Sequence, residues 1–237
     1  MADFKTHLAG AAIGSAALAT SLASSDTIES GEALGLFTVG VVGGLLPDVD
    51  LGHSTPVSLA RKAATAFGIV VIAFQLADVY SIVEIAIVAL GMYFVVQSGF
   101  KLFDKFTKHR GLFHSLPAAM VCGLTLGVII DYLTTSSDAL VWFYIAFMFL
   151  GFILHLVLDE AYSVNLLGAS FKRSFGTALK LGDKKNPLGT ALLYLGVVLL
   201  FTLNPPVDSA LDILGDSSTY SSILNNLWPQ GQWFQSL

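Results

Sequence analysis

Seven stretches of this chain contain no Asp, Glu, Lys or Arg: 8–25, 33–47, 63–77, 85–100, 111–130, 139–158 and 186–207. A helix needs roughly 17–25 apolar residues to cross a bilayer; most of these stretches come near that length, and 33–47 and 63–77 are short. In lipid the backbone polar groups must be satisfied within the segment itself, so stretches of this kind become helices. The fold expected is all-α, a polytopic membrane helix bundle of about seven transmembrane helices. It forms one membrane-embedded domain over 1–207, with an extracytoplasmic tail over 208–237. Composition agrees: only 12% of the 237 residues are charged, against roughly 25% in soluble domains, and the mean hydropathy is +0.73.

When the ends of the seven segments are placed alternately on two sides, the charges separate. One side takes 1–7, 48–62, 101–110 and 159–185, and with them all 12 Lys and Arg. The other takes 24–32, 78–84, 131–138 and 208–237, which hold ten acids and no Lys or Arg. The positive-inside rule then puts the N-terminus in the cytoplasm and the C-terminus outside. All five histidines, which played no part in building this partition, fall on the cytoplasmic side. Lys5 and the run to Ala23 imitate a cleaved signal peptide, but Asp3 and the Ala/Gly-rich composition favour a retained helix. A net charge of −5 without a long basic run gives no support for a nucleic-acid partner. The single Cys122 excludes an intrachain disulfide.

The histidines sit in short polar clusters at the ends of apolar segments. His155 and Asp159 are four apart, which on a helix puts both on one face, one turn apart. That is a good half-site for a metal, and also the spacing of an ordinary helix-end pair. Pro47-Asp48-Val49-Asp50 stops the second segment and sets two carboxylates next to hydrocarbon. Such like charges repel unless a cation or water lies between them; an Asp-capped turn is the simpler alternative. His109-Arg110-Gly111-Leu112-Phe113-His114-Ser115 precedes the fifth segment, where Gly111 allows the two imidazoles to converge and Arg110 suits phosphate or carboxylate oxygens. A basic loop on lipid headgroups explains its lysines well and its histidines poorly. His7 stands just before the first segment, where a lone histidine is normally interfacial. Together, helix ends 1, 2, 5 and 6 would gather His and Asp side chains enough for one or two divalent ions. Gly10-xxx-Gly14, Gly40-xxx-Gly44 and Gly123-xxx-Gly127 predict close helix approach.

Lys5-Thr6-His7-Leu8-Ala9-Gly10, Leu46-Pro47-Asp48-Val49-Asp50 with Ser54, His109-Arg110-Gly111 with His114-Ser115, and His155 with Asp159 stand in this order. In that order the chain resembles the YdjM-like, LexA-regulated group of inner-membrane metal-dependent hydrolases, to about residue 190. That group is similar, more remotely, to zinc-dependent phospholipase C. The resemblance implies a multi-pass protein of the bacterial inner membrane with metal ligands His7, Asp48, Asp50, His109, His114, His155 and Asp159. His53 matches no position of the family pattern, and Glu160-Ala161-Tyr162-Ser163 departs from the Thr-rich turn that many relatives carry after the aspartate.

The function expected is a membrane-bound metal-dependent hydrolase. One or two divalent ions, zinc foremost, would activate water against a phosphoester. Asp50 is the expected proton acceptor or bridging carboxylate, and Arg110 the group that stabilises developing charge. A lipid or lipid-linked phosphoester fits a site at the level of the headgroups. The alternatives are a metal or ion transporter, whose sites usually lie near the bilayer midplane on broken helices, and a non-catalytic membrane protein stabilised by metal.

Overall fold

The computed structural model describes residues 2–50, 80–106, 112–162, 164–165, 170–171 and 179–228, with isolated positions at 62, 65, 66 and 69. The described residues are helical almost throughout. Helix α1 (Phe4–Ser24) is followed by α2 (Ser30–Leu45) and a 3-10 turn, Leu46–Asp50. Then come α3 (Ile82–Phe106), α4 (Leu116–Leu133) and α5 (Asp138–Ala161). Strands β1 (Val164–Asn165) and β2 (Ser170–Phe171) make a two-residue antiparallel ladder. Helices α6 (Pro187–Leu203), α7 (Asp208–Gly215) and α8 (Ser217–Asn226) complete the described chain.

Each helix start has a readable local cause. Asp3 accepts the Thr6 N–H at 2.8 Å and begins α1. Glu32 accepts the Glu29 N–H at 2.7 Å, half of a capping box at the start of α2. Ser137 accepts from Leu140 N–H at 3.3 Å before α5, and Asn186 accepts from Gly189 N–H at 2.9 Å before α6. Pro117 and Pro187 stand in first turns, where a missing N–H costs nothing. Between α1 and α2 the chain reverses through Asp26, whose φ of 55° is in the left-handed region that a short Asx side chain tolerates.

Helix α5 is the centre of the bundle: α1, α2, α4 and α7 all pack on it. Its buried residues run the length of the helix, from Ala139 to Asp159. The α2–α5 contact is close because glycines face each other. A methyl group at Gly43 would meet the Met148 carbonyl, and one at Gly151 would meet the Gly40 carbonyl. Gly44 does the same for α1, lying against Ala11. The small-residue spacing in α2 is therefore a packing surface, as small residues are between helices in lipid. The tail folds back: α7 packs on α5, and Asn226 in α8 donates to the Ser24 carbonyl at the end of α1.

The all-α class holds, and the described residues show fewer spans than the seven expected. Among the described residues three helices are long and apolar enough to cross a membrane: Ser30–Asp48, Leu116–Leu133 and Asp138–Ala161. A fourth is formed if α6 and α7, bent by 88° at a short break, count as one span. Helix α1 is long enough, but its alanines are interrupted by Gly, Ser and Thr and it falls short in hydropathy. In α3 the apolar stretch recorded among the described residues is Ile82–Phe94, and Lys101, Asp104 and Lys105 follow nearer its end. Apart from positions 65, 66 and 69, the 63–77 stretch lies outside the described residues. Helix α6 buries none of its residues, and Leu188, Leu192, Val198 and Phe201 on it are all exposed. That is the surface a chain offers to hydrocarbon rather than to water.

Candidate metal centre

Four parts of the chain bring a histidine or aspartate to one end of the bundle. His7 is in the second turn of α1, behind its Asp3 cap. Hydrogen bonds from the Thr6 hydroxyl and amide hold the Asp3 carboxyl below its ordinary pKa. Asp48 is in the 3-10 turn that Pro47 opens after α2. His114 is in the turn before α4; there the Ser115 hydroxyl donates to the Leu112 carbonyl at 2.6 Å and the Leu116 N–H donates to the Lys180 carbonyl at 2.9 Å. His155 and Asp159 are one turn apart near the end of α5, both facing inward. The spacing expected of the pair is thus realised on a buried face.

The side chains meet closely. His7 Nε2 is 3.3 Å from Asp159 Oδ1, and His155 Nε2 is 3.6 Å from Asp48 Oδ1. His155 Nδ1 lies 2.8 Å from the Gly44 carbonyl. A carbonyl only accepts, so Nδ1 carries the proton and Nε2 presents its lone pair. Asp159 Oδ1 also accepts the Ala2 N–H at 3.2 Å. Two overlapping groups have donor atoms within 4.8 Å of one another: His7, His155 and Asp159; and Asp48, His114 and His155.

These groups are deeply enclosed. His7, His114 and His155 are each 1% exposed and Asp159 is 2% exposed. Yet His7 Nδ1, His155 Nε2 and Asp159 Oδ2 make no hydrogen bond. A buried unsatisfied donor or acceptor costs about 1–3 kcal/mol, and native structures keep few of them. Here they converge instead of being scattered, together with two carboxylates. A divalent cation satisfies such lone pairs and neutralises the carboxylates at once. Imidazole and carboxylate without thiolate suit zinc and other divalent first-row ions. The residues present fit a metal.

Of the expected ligands, His7, Asp48, His114, His155 and Asp159 come together. The side chain of Asp50, and His53, His109 and Arg110 entirely, lie outside the described residues. Two contributors were absent from the sequence reading. The Gly44 carbonyl fixes the His155 tautomer, through a contact between segments far apart in the sequence. The backbone of Ala2 holds Asp159, and a main-chain donor of that kind leaves no mark on residue type.

At the other end of the bundle a cleft of about 510 Å³ opens between the α1–α2 turn and the start of α5, lined in part by Asp26, Glu29, Glu32 and Ser137. It contains no histidine, and its polar groups cap helices.

The sequence profile described as YdjM inner membrane protein matches residues 1–202, most of the chain and all five of the clustered side chains. Searches of the curated proteins and of the solved structures find no match.

Proposed function

Because this chain belongs to the YdjM inner membrane protein family and buries an unsatisfied His/Asp cluster at one end of its bundle, we propose that it is a membrane-bound metal-dependent hydrolase. Its proposed substrate is a phosphoester of a lipid or lipid-linked molecule, reached from the cytoplasmic membrane face. The observation that carries the reading is the convergence of His7 and His155 ring nitrogens and an Asp159 carboxylate oxygen, none of them hydrogen-bonded, inside a helix bundle.

A bound divalent cation would supply Lewis acidity and an activated water near neutral pH. The chain's own residues do the rest. Gly44 holds the His155 ring in the tautomer that offers Nε2. Asp159, on the same face of α5, holds His7. Burial under α1, α2 and α4 excludes bulk water, which strengthens every charge interaction within. Arg110, next to this end in sequence, has the fork geometry to bind phosphoryl oxygens, and Asp50 is a further carboxylate for holding a proton. Lys5, Lys108 and Arg110, close in sequence to His7, His109 and His114, support a cytoplasmic site. Lipid access is supported by the exposed apolar faces of α3 and α6 that flank the bundle.

The test is a phosphoester screen on metal-loaded, detergent-purified protein, with wild type beside His155→Ala. Turnover that needs the metal and vanishes in the variant supports the reading. Equal turnover in the two proteins, or turnover indifferent to chelation, refutes it.

A further inference from the structure

The five clustered side chains do not share one centre. His7 and His155 stack with ring centroids 3.6 Å apart and planes within 10° of parallel. An imidazole donates its lone pair in the ring plane, so parallel rings aim side by side and never meet. Two imidazoles on one tetrahedral ion, each bound through a nitrogen about 2.1 Å away, hold their centroids roughly 5 Å apart. The stacked pair is well inside that separation. His114 and His155 are arranged differently: their planes are 72° apart and their centroids 5.9 Å apart, an edge-on approach that lets in-plane lone pairs converge. The 3.6 Å between His155 Nε2 and Asp48 Oδ1 is close to the roughly 3.3 Å between two donors bound to one tetrahedral ion.

Tautomers separate the groups further. His155 Nδ1 is committed to the Gly44 carbonyl, so one lone pair, on Nε2, is left, and it serves one ion. Both candidate triads draw on that residue. His7 Nε2 lies 3.3 Å from Asp159 Oδ1, and both His7 ring nitrogens are buried and make no hydrogen bond.

We propose that the cluster is two devices. Asp48, His114 and His155 hold a single divalent ion. His7 and Asp159 stay outside its coordination sphere as a positioning pair: the Asp159 carboxylate positions the His7 ring, and a His7 ring nitrogen is the hydrogen-bonding group offered to the reacting molecule beside the ion. This rests on the metal-dependent reading above, and it departs from the ligand set that the family resemblance implies, in which His7 and Asp159 bind metal.

Cobalt(II) is the probe, loaded into the full chain in detergent. Wild type, His7→Gln and Asp159→Asn should each bind one cobalt with the same visible d–d spectrum. His114→Ala and Asp48→Ala should lose the cobalt or change its spectrum. A His7→Gln spectrum altered in the manner of His114→Ala overturns the proposal and leaves metal binding intact. Failure of wild type to bind cobalt or zinc overturns the metal-dependent reading and the proposal with it. A second measurement does not depend on any change at His7. A chain carrying His53→Ala and His109→Ala retains three histidines; loaded with copper(II), its pulsed EPR should count two imidazoles, and a count of three overturns the proposal.

Discussion

At the acidic end of the bundle, the helix-capping side chains are satisfied by their own neighbours, and one buried oxygen, Asn204 Oδ1, makes no hydrogen bond. The Ser25 hydroxyl is 2.7 Å from that of Thr27, Glu32 accepts the Glu29 N–H, and Thr134 donates to Ser136 at 2.8 Å. At the histidine end, His7, His155 and Asp159 are buried deeper and still leave ring nitrogens and a carboxylate oxygen without hydrogen bonds. The first pattern is what helix termini require, since each leaves several backbone groups unsatisfied. The second has no such structural need. An open cleft lies at the capped end, so the size of a cavity is a poorer guide to chemistry here than unsatisfied polarity.

Metal removal should separate the two ends most strongly. A ligand present at about 100 times its Kd stabilises a fold by about 2.7 kcal/mol, so a chelator should lower the Tm of the zinc-loaded protein by several degrees. The double variant Glu29→Gln/Glu32→Gln should keep that metal-dependent increment in full, because its carboxylates serve a helix cap. An increment lost in that variant would erase the distinction between the ends.

Packing that holds the histidine end should come next. Gly43→Ala drives a methyl group into the Met148 carbonyl, and overpacking of this kind costs about 1–3 kcal/mol. Thermal melts in detergent should show the loss, with metal affinity reduced because α2 carries the Gly44 carbonyl and leads into the turn that holds Asp48. An unchanged melt would show that α2 and α5 do not approach as closely as described. Smaller again is Ser137→Ala at the acidic end, where removing a cap costs about 1 kcal/mol; it should lower Tm and leave metal content unchanged.

The smallest effect concerns pH. The folded-state pKa of Asp3 is lowered by its bonds to Thr6. Its contribution is therefore present above the carboxyl's unfolded pKa and is lost as pH falls through the lower folded value. Asp3→Asn should flatten that acid-side slope slightly in pH-dependent melts; a steeper slope in the variant would contradict the cap.

Much of the site was legible because it is local. His155 and Asp159 are on one helix, and their shared face follows from helical periodicity. Pro47 announces the turn that carries Asp48. What was not legible arises from contacts between distant segments. The stacking of His7 on His155 joins two helices far apart in the sequence, and it depends on α1, α2 and α5 meeting through Ala11, Gly44 and Gly151. The number of spans was less legible for a different reason. A charge-free stretch measures only the absence of charge, and in α1 such a stretch is diluted by Gly, Ser and Thr. In 186–207 the Asn204-Pro205-Pro206 sequence breaks the helix, as proline requires, although no charge marks the break.

The most direct test is elemental analysis of detergent-purified protein, with wild type beside His114→Ala/His155→Ala and Glu29→Gln/Glu32→Gln. One divalent ion per chain in wild type and in the acidic-end variant, with none in the histidine variant, is the result predicted. A wild-type protein without bound metal after reconstitution, or a histidine variant that keeps its full complement, would contradict it.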